Sequence, residues 1–289
     1  MNDFPEAAAR ELVARALRED LGPDGLDVTT LATIPEEQVR VGEIVAREPG
    51  VIAGGPAIEI VLEAVAGLLG ADLPTVKTVA ADGTRLDRGD VVARLEGPTR
   101  VVLMAERTIL NILCRLSGVA THTRRWADAL EGTGTMVLDT RKTTPGMRLL
   151  EKYAVRTGGG TNKRLGLYDV AMIKDNHKLA AGSVGEAYRL VRERFPDVTI
   201  EVEVETPAEA REAYAAGARF IMCDNMSVPV LRETVELLRA AGEPVEIEAT
   251  GGMTLDVVAD YAATGVDFVS VGGLTHSSPI IDLALDLVD

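Results

Sequence analysis

From residue 135 the chain repeats one pattern: a short apolar run, a polar or glycine-rich break, then an amphipathic run. "TMVLDTRK" precedes "GMRLLEKYAVRT", "DVAMIKDN" precedes "VGEAYRLVRERF", and "TIEVEVET" precedes "PAEAREAYAAG". "RFIMCDNM" then precedes "VPVLRETVELLRAAG", "VEIEATGG" precedes "LDVVADYAATG", and "FVSVGG" leads to "SPIIDLALDL". Parallel strands need a crossover between them, so six β–α steps over ~155 residues imply a parallel sheet with right-handed connections. Such a sheet either stays open and doubly wound or closes into a barrel. The polar residues favour the barrel. The strands end in Arg141-Lys142, Lys174-Asp175-Asn176, Glu203-Val204-Glu205, Asp224-Asn225, Thr250-Gly251-Gly252 and Gly272-Gly273. A barrel gathers every one of those ends into a single ring, whereas an open sheet uses only the ends near its switch point. Six strands are fewer than the usual eight, so the expected fold is α/β with an incomplete barrel.

The first ~115 residues read differently, as a helix near 5–19, a turn-rich "LGPDGLDVTT", and short strand-like runs punctuated by Gly, Asp and Pro. The helical run "PAIEIVLEAVAGLL" interrupts them, and the long helix "LMAERTILNILCRLSGVATHTRRWADAL" follows. The expected division is an N-terminal α/β sandwich over 1–115 and a barrel over 116–275, with a C-terminal helix at about 276–289 packing back on the first domain.

In "TIEVEVET", side chains two apart share a face, so Glu201, Glu203 and Glu205 are expected to point into the lumen and Val202 and Val204 outward. "VEIEAT" repeats the pattern with Glu246 and Glu248. An acidic lumen is tolerable only when cations face it. Residues 141–178 supply them: nine Lys or Arg stand against Glu151, Asp169 and Asp175, in a chain whose net charge is −15. Arg148, Lys152 and Arg156, spaced by four, read as a solvated helix face. Arg141, Lys142 and Lys174 stand at strand ends, where they read as functional. A basic ring in an acidic protein points to a small anion, with arginine's planar fork suiting a carboxylate or phosphate and lysine a compact point charge.

"EATGGM" and "SVGGLTHSSP" each follow a strand and supply backbone N–H groups for phosphate. Ser278 reads as a helix N-cap ahead of Pro279. His276 is either a phosphate donor or a hydrogen-bonded loop residue. Glu203 and Asp224 either share a divalent ion such as Mg²⁺ or form an ion pair with Lys142 or Lys174. "TGGGTNKRLG" follows a helix and lacks the G-K-[ST] ending of a nucleotide loop.

Composition narrows the functions further. Aromatics are only 3%, too few for base stacking, and the negative charge argues against nucleic acid. No apolar run is long enough to span a membrane. The N-terminus reads as an acidic amphipathic helix and not a signal peptide. Two isolated cysteines and three histidines point to a soluble, reduced, cytoplasmic protein without a zinc site.

The run "DTRKTTPGMRLLEKYAVRTGGGTNKRLGLYDVAMIKDNH" (139–177), with "EVEVET", "IMCDNM", "EATGG", "SVGGLTHS", "REDLGPDGLDVTT" and "AERTILNILCRLSGVAT", strongly resembles the quinolinate phosphoribosyltransferase family. The likeness covers nearly the whole chain in order. It implies an N-terminal open sandwich, an incomplete barrel, and assembly as a homodimer or hexamer. It implies transfer of phosphoribose from phosphoribosyl pyrophosphate to quinolinate with decarboxylation to nicotinate mononucleotide, in NAD biosynthesis. It also implies roles: Arg107 lent across the dimer interface; Arg141, Arg164 and Lys174 on the quinolinate carboxylates; Lys142 in catalysis or phosphate binding. Glu203 and Asp224 are the acidic pair at ribose and Mg²⁺, and Thr250, Gly251, Gly252, Gly272 and His276 the phosphate side. The family often reads "NHR" where this chain reads "NKR", so Lys163 takes the position of a ligand-side histidine, keeping charge but changing reach and titration. Rival readings are a Schiff-base lyase using Lys142 or Lys174, a non-catalytic anion-binding protein, and a nicotinate phosphoribosyltransferase without decarboxylation.

Overall fold

The computed structural model describes residues 3–288. In chain order it runs α1 (Glu6–Leu21), α2 (Val28–Thr33), β1 (Val39–Ala46), β2 (Gly50–Val51), α3 (Ala57–Leu69), β3 (Thr75–Thr78), β4 (Arg85–Leu86) and β5 (Val91–Pro98). The long α4 (Thr99–Ala129) leads to β6 (Met136–Leu138), α5 (Arg148–Thr157), β7 (Val170–Ile173), α6 (Asp175–Ala181), α7 (Val184–Arg194) and β8 (Thr199–Val204). The remainder is α8 (Pro207–Ala215), β9 (Phe220–Asp224), α9 (Val228–Ala240), β10 (Glu246–Thr250), α10 (Val258–Ala262), β11 (Phe268–Ser270), α11 (Gly273–His276) and β12 (Leu283–Val288).

The chain forms two compact units, and neither is continuous. The first holds residues 1–124, 143–159 and 275–289; the second holds 125–142 and 160–274. The first carries an antiparallel sheet in the order β12-β1-β5-β3 and the small pair β2-β4. Its apolar core draws on Val13 and Leu17 of α1, Val61, Leu62 and Val65 of α3, Ile44 and Leu95 of the sheet, and Leu113 and Leu116 of α4.

Two expectations about this unit are corrected. The final segment is a strand and not a helix: β12 pairs with β1 from Ala46↔Leu283 to Val41↔Val288. Ser278 accordingly caps nothing, and its hydroxyl donates to the Gly118 carbonyl at 3.0 Å. Gly118 is required at that contact, because a Cβ there would lie 2.1 Å from the Pro279 oxygen. Helix α5 reads as a barrel helix but belongs to the first compact unit. Its residues Leu150–Val155 are all buried. Tyr153 explains the attachment: its ring meets Phe4 edge-on at 5.1 Å and its hydroxyl donates to Asp82 at 2.6 Å. The solvated-face reading of Arg148, Lys152 and Arg156 fails at Lys152, which is buried at 1% exposure.

The second unit is the parallel sheet, in the order β6-β11-β10-β9-β8-β7. Thr161 adds a parallel bridge to Leu138 on the outer side of β6. On a flat sheet, β6 and β8 would lie about 19 Å apart at ~4.8 Å per strand. The Lys163 ammonium nevertheless contacts glutamates on both β8 and β10, so the sheet curls until its inner faces meet. This is an incomplete barrel with parallel strands, open between β7 and the 161 segment. Val202 and Val204 point outward and are fully buried, while Ala210, Ala213, Leu231 and Leu238 of α8 and α9 bury against the strands' outer face.

Candidate active site

The expected alternation along β8 holds for two of its three acids. Glu201 is 0% exposed and Glu203 8%. Glu205 lies beyond the last strand residue and is exposed, because the chain leaves the sheet after Val204 to start α8. On β10 Glu248 is fully buried and Glu246 exposed.

The segment after α5 is laid along β6 by backbone and side-chain bonds. Thr161 donates its N–H to Val137, and Asp139 donates to the Thr161 carbonyl. The Asp139 carboxylate, fully buried, accepts from Asn162 Nδ2 at 2.7 Å and from the Lys163 N–H at 2.9 Å. Asp169 then caps the following turn by accepting from the N–H groups of Leu165 and Gly166. Lys163 and Arg164 are thereby held at fixed positions. The Lys163 side chain is 7% exposed and contacts Glu201 and Glu248. Burial and the charge of Glu248 push Glu201 up to about 8, against the opposing pull of Lys163.

Nearer the rim the charges alternate. Lys174 caps α6 and reaches Glu203 at 2.7 Å, with its side chain half exposed. His177, on the same turn, accepts the Lys174 N–H through Nδ1, so its role is structural. Arg164 is buried, and its guanidinium is held below its ordinary range, first by desolvation and then by Arg141. Two arginines close enough to repel, with one desolvated, form an arrangement that an anion relieves. Asp224 is shifted the other way: burial and the neighbouring charge of Glu203 raise its carboxyl. Asn225 beside it adopts a left-handed backbone and donates to Asp224 at 2.9 Å. Thr250 ends β10, and its carbonyl accepts the Asn225 N–H. Gly251 (φ +96°) must be glycine, since a Cβ would fall 2.2 Å from the Asn225 side chain. Gly252 continues the turn, also at positive φ. Lys142 is exposed after β6, its N–H bonded to the Thr140 hydroxyl at 3.1 Å. Gly272 follows β11.

Arg141, Lys142, Lys163, Arg164, Lys174, Glu203, Asp224, Thr250, Gly251, Gly252 and Gly272 therefore all belong to the second unit. Two expected residues belong to the first. Arg107 is 62% exposed on α4, with Glu106 at 4.0 Å. His276 is exposed at the end of α11 and shares a hydrogen bond with the Ser277 hydroxyl. The sequence reading passed over Asp139 and Asn162, the pair that sets the path of Lys163. Their signal was an Asp closing an apolar strand two residues before the Arg-Lys pair.

Family models for the quinolinate phosphoribosyl transferase N-terminal and C-terminal domains match residues 27–117 and 119–286. The chain is 45% identical to the nicotinate-nucleotide pyrophosphorylase [carboxylating] of Mycobacterium leprae, covering 99% of this chain and 100% of that one. It is 38% identical to the mitochondrial quinolinate phosphoribosyltransferase [decarboxylating] 2b of Nicotiana tabacum, over 98% and 83% of the two chains. The solved nicotinate-nucleotide pyrophosphorylase of Francisella tularensis superposes with a TM-score of 0.90 at 32% identity, covering 99% and 98%. With its two matched domains, its barrel and its charged strand ends, this chain belongs to the quinolinate phosphoribosyltransferase family.

Proposed function

We propose that the chain catalyses phosphoribosyl transfer from phosphoribosyl pyrophosphate to quinolinate with decarboxylation, giving nicotinate mononucleotide, pyrophosphate and CO₂. Family membership supports the reaction class, and the observation that carries the assignment to these residues is the charge pattern at the strand ends. Arg141 and a desolvated Arg164 repel each other, while Glu203 and Asp224 repel across adjacent strands. The first pair suits a dicarboxylate, the second a developing cation.

The pyridine nitrogen carries its own lone pair and needs no general base to attack C1 of the ribose. The C1–O bond to pyrophosphate breaks as the N–C1 bond forms, and positive charge grows on the ribose ring. Glu203 and Asp224 stabilise that charge, and Lys142 with the N–H groups around Thr250, Gly251, Gly252 and Gly272 receives the phosphates. The carboxylate beside the cationic ring nitrogen then departs as CO₂, leaving its electron pair on the ring carbon, which takes a proton. Arg141, Arg164 and Lys174 hold the diacid in place while this bond breaks in the ring plane, where the adjacent cationic nitrogen stabilises the electron pair left behind.

Glu203 and Asp224 offer oxygen donors only, and the raised carboxyl of Asp224 marks a pair short of positive charge. That set fits Mg²⁺, which binds through one or two carboxylates and substrate phosphates. Among the described residues no group of three or more His, Cys, Asp or Glu forms a metal cage. When bound, the ion neutralises the diphosphate. Arg107 and His276 fit roles in an assembled homodimer or hexamer, with Arg107 lent to a second copy and His276 on the phosphate side. We place the enzyme in the cytoplasm, a reading supported by two free cysteines, Cys114 and Cys223. No helix among the described residues is long and apolar enough to cross a membrane.

The test is an assay with phosphoribosyl pyrophosphate, Mg²⁺ and either quinolinate or nicotinate. Release of CO₂ with equimolar nicotinate mononucleotide, from quinolinate only, is expected. Turnover of nicotinate alone overturns the assignment.

A further inference from the structure

An ammonium group has three hydrogens to donate. In Lys163 they face the floor of the barrel, where the ammonium donates to Glu248 and to Met222 Sδ at 3.7 Å and forms an ion pair with Glu201. The Phe220 ring lies 5.4 Å away on the remaining side. Glu201 and Glu248 are both fully buried and share this one ammonium. A substrate anion brought to Lys163 would have to displace these buried acceptors at short range and low dielectric.

The backbone carries the second half of the argument. Asp139 fixes Asn162 and Lys163, and Asp169 fixes Leu165 and Gly166, while Arg164 Nε donates to the Gly166 carbonyl at 2.7 Å. The Asp139 bonds tie the segment to the end of β6, and the others are local to it. Lys163 ties it across the lumen to β8 and β10. The charged groups facing this point are Asp139 from the end of β6, Glu201 and Glu203 from β8, Glu248 from β10, and Arg164 beside it.

We propose that Lys163 is a positioning residue: clamped by Glu201 and Glu248, it fixes the segment that delivers Arg164 to the rim and does not itself touch the pyridine dicarboxylate. The position that reads as a ligand in the family resemblance becomes a strut in this chain. The inference rests on the quinolinate reading.

The experiment measures quinolinate KM and kcat at saturating phosphoribosyl pyrophosphate, with urea midpoints, for the full-length protein and three variants. Lys163→Met is expected to raise KM by about tenfold and to lower the midpoint, because the two buried carboxyl groups lose the cation they share. Lys163→Met/Glu201→Gln/Glu248→Gln is expected to recover the midpoint and return KM to within about threefold of wild type. A triple variant that recovers its midpoint but keeps the KM defect overturns the proposal. Should the triple variant fail to fold, Glu248→Gln decides alone. A clamped lysine leaves KM within about twofold, whereas a direct ligand relieved of one carboxylate tightens it by about fivefold or more. A wild type that does not turn over quinolinate sinks the functional reading separately. The clamp is then judged on midpoints, supported by loss in the single variant and recovery in the triple, and overturned by a Lys163→Met midpoint equal to wild type.

Discussion

Each unit buries charge, and the two do so differently. In the first, Glu151 is fully buried and accepts from Arg115 Nε and Nη2 at 3.1 and 2.7 Å. It also accepts from the Thr144 N–H at 2.9 Å and hydroxyl at 2.7 Å. Arg115 directs its remaining donors to the carbonyls of Ser278 and Thr275. One charge meets one charge, and the pair ties α4, α5, the 143–147 loop and the 275–278 segment together. In the second unit two buried carboxylates share the single ammonium of Lys163. The balanced pair holds the architecture in place. The unbalanced set keeps a proton and leaves the lumen sensitive to any further charge that enters it, including substrate.

The contrast is broken most severely at the balanced pair. Glu151→Ala strands the Arg115 guanidinium and two Thr144 donors, so a loss of about 3–5 kcal/mol in urea unfolding is expected. A midpoint near wild type would show that the pair is not structural. At the strand ends the expected damage is to activity instead. Arg141→Ala should lower kcat/KM for quinolinate by about two orders of magnitude with the urea midpoint retained, since a guanidinium–carboxylate fork is lost. Arg148→Ala, which removes a 3.0 Å bond to the Thr143 hydroxyl, should change kcat/KM by less than about twofold. Equal losses in the two variants would erase the distinction between helix-face and strand-end cations.

The mildest effect is a slope. The Glu201 carboxyl titrates near 8 in the folded protein and near ~4.3 in an unfolded chain. Between those values the native state binds more protons than the unfolded one, so stability from this group falls as pH rises and levels off above about 8. Glu201→Gln should flatten that decline in urea midpoints taken at about pH 5, 6.5 and 8. An unchanged slope in the variant would mean that the proton resides elsewhere.

Much of this was legible in the sequence for physical reasons. The period of two in "TIEVEV" placed Glu201 and Glu203 inward and Val202 and Val204 outward, as found. The alternation of strands and helices implied a parallel sheet, and all six strands are present in it. What could not be read was decided by contacts distant in sequence. Helix α5 has the pattern of any barrel helix, and contacts distant in sequence, Tyr153 with Phe4 and Asp82 and Glu151 with Arg115, assign it to the other unit. Lys152 lies on the same face spacing as Arg148 and Arg156 yet is buried. "LALDLV" contains no Gly or Pro to mark it as a strand, and its state is set by pairing with β1, more than 230 residues earlier. Lys163 was visible as a cation, but its partners on β8 and β10 depend on how far the sheet curls.

The central claim is that the strand ends of one incomplete barrel grip a flat dicarboxylic acid beside a sugar diphosphate. A crystal structure of the protein soaked with quinolinate tests it most directly. The account predicts the ring at the carboxyl ends of the strands, its carboxylates on Arg141, Arg164 and Lys174, with Lys163 still bound to Glu201 and Glu248. Quinolinate seated away from those arginines, or Lys163 turned from its glutamates onto the ligand, would contradict it.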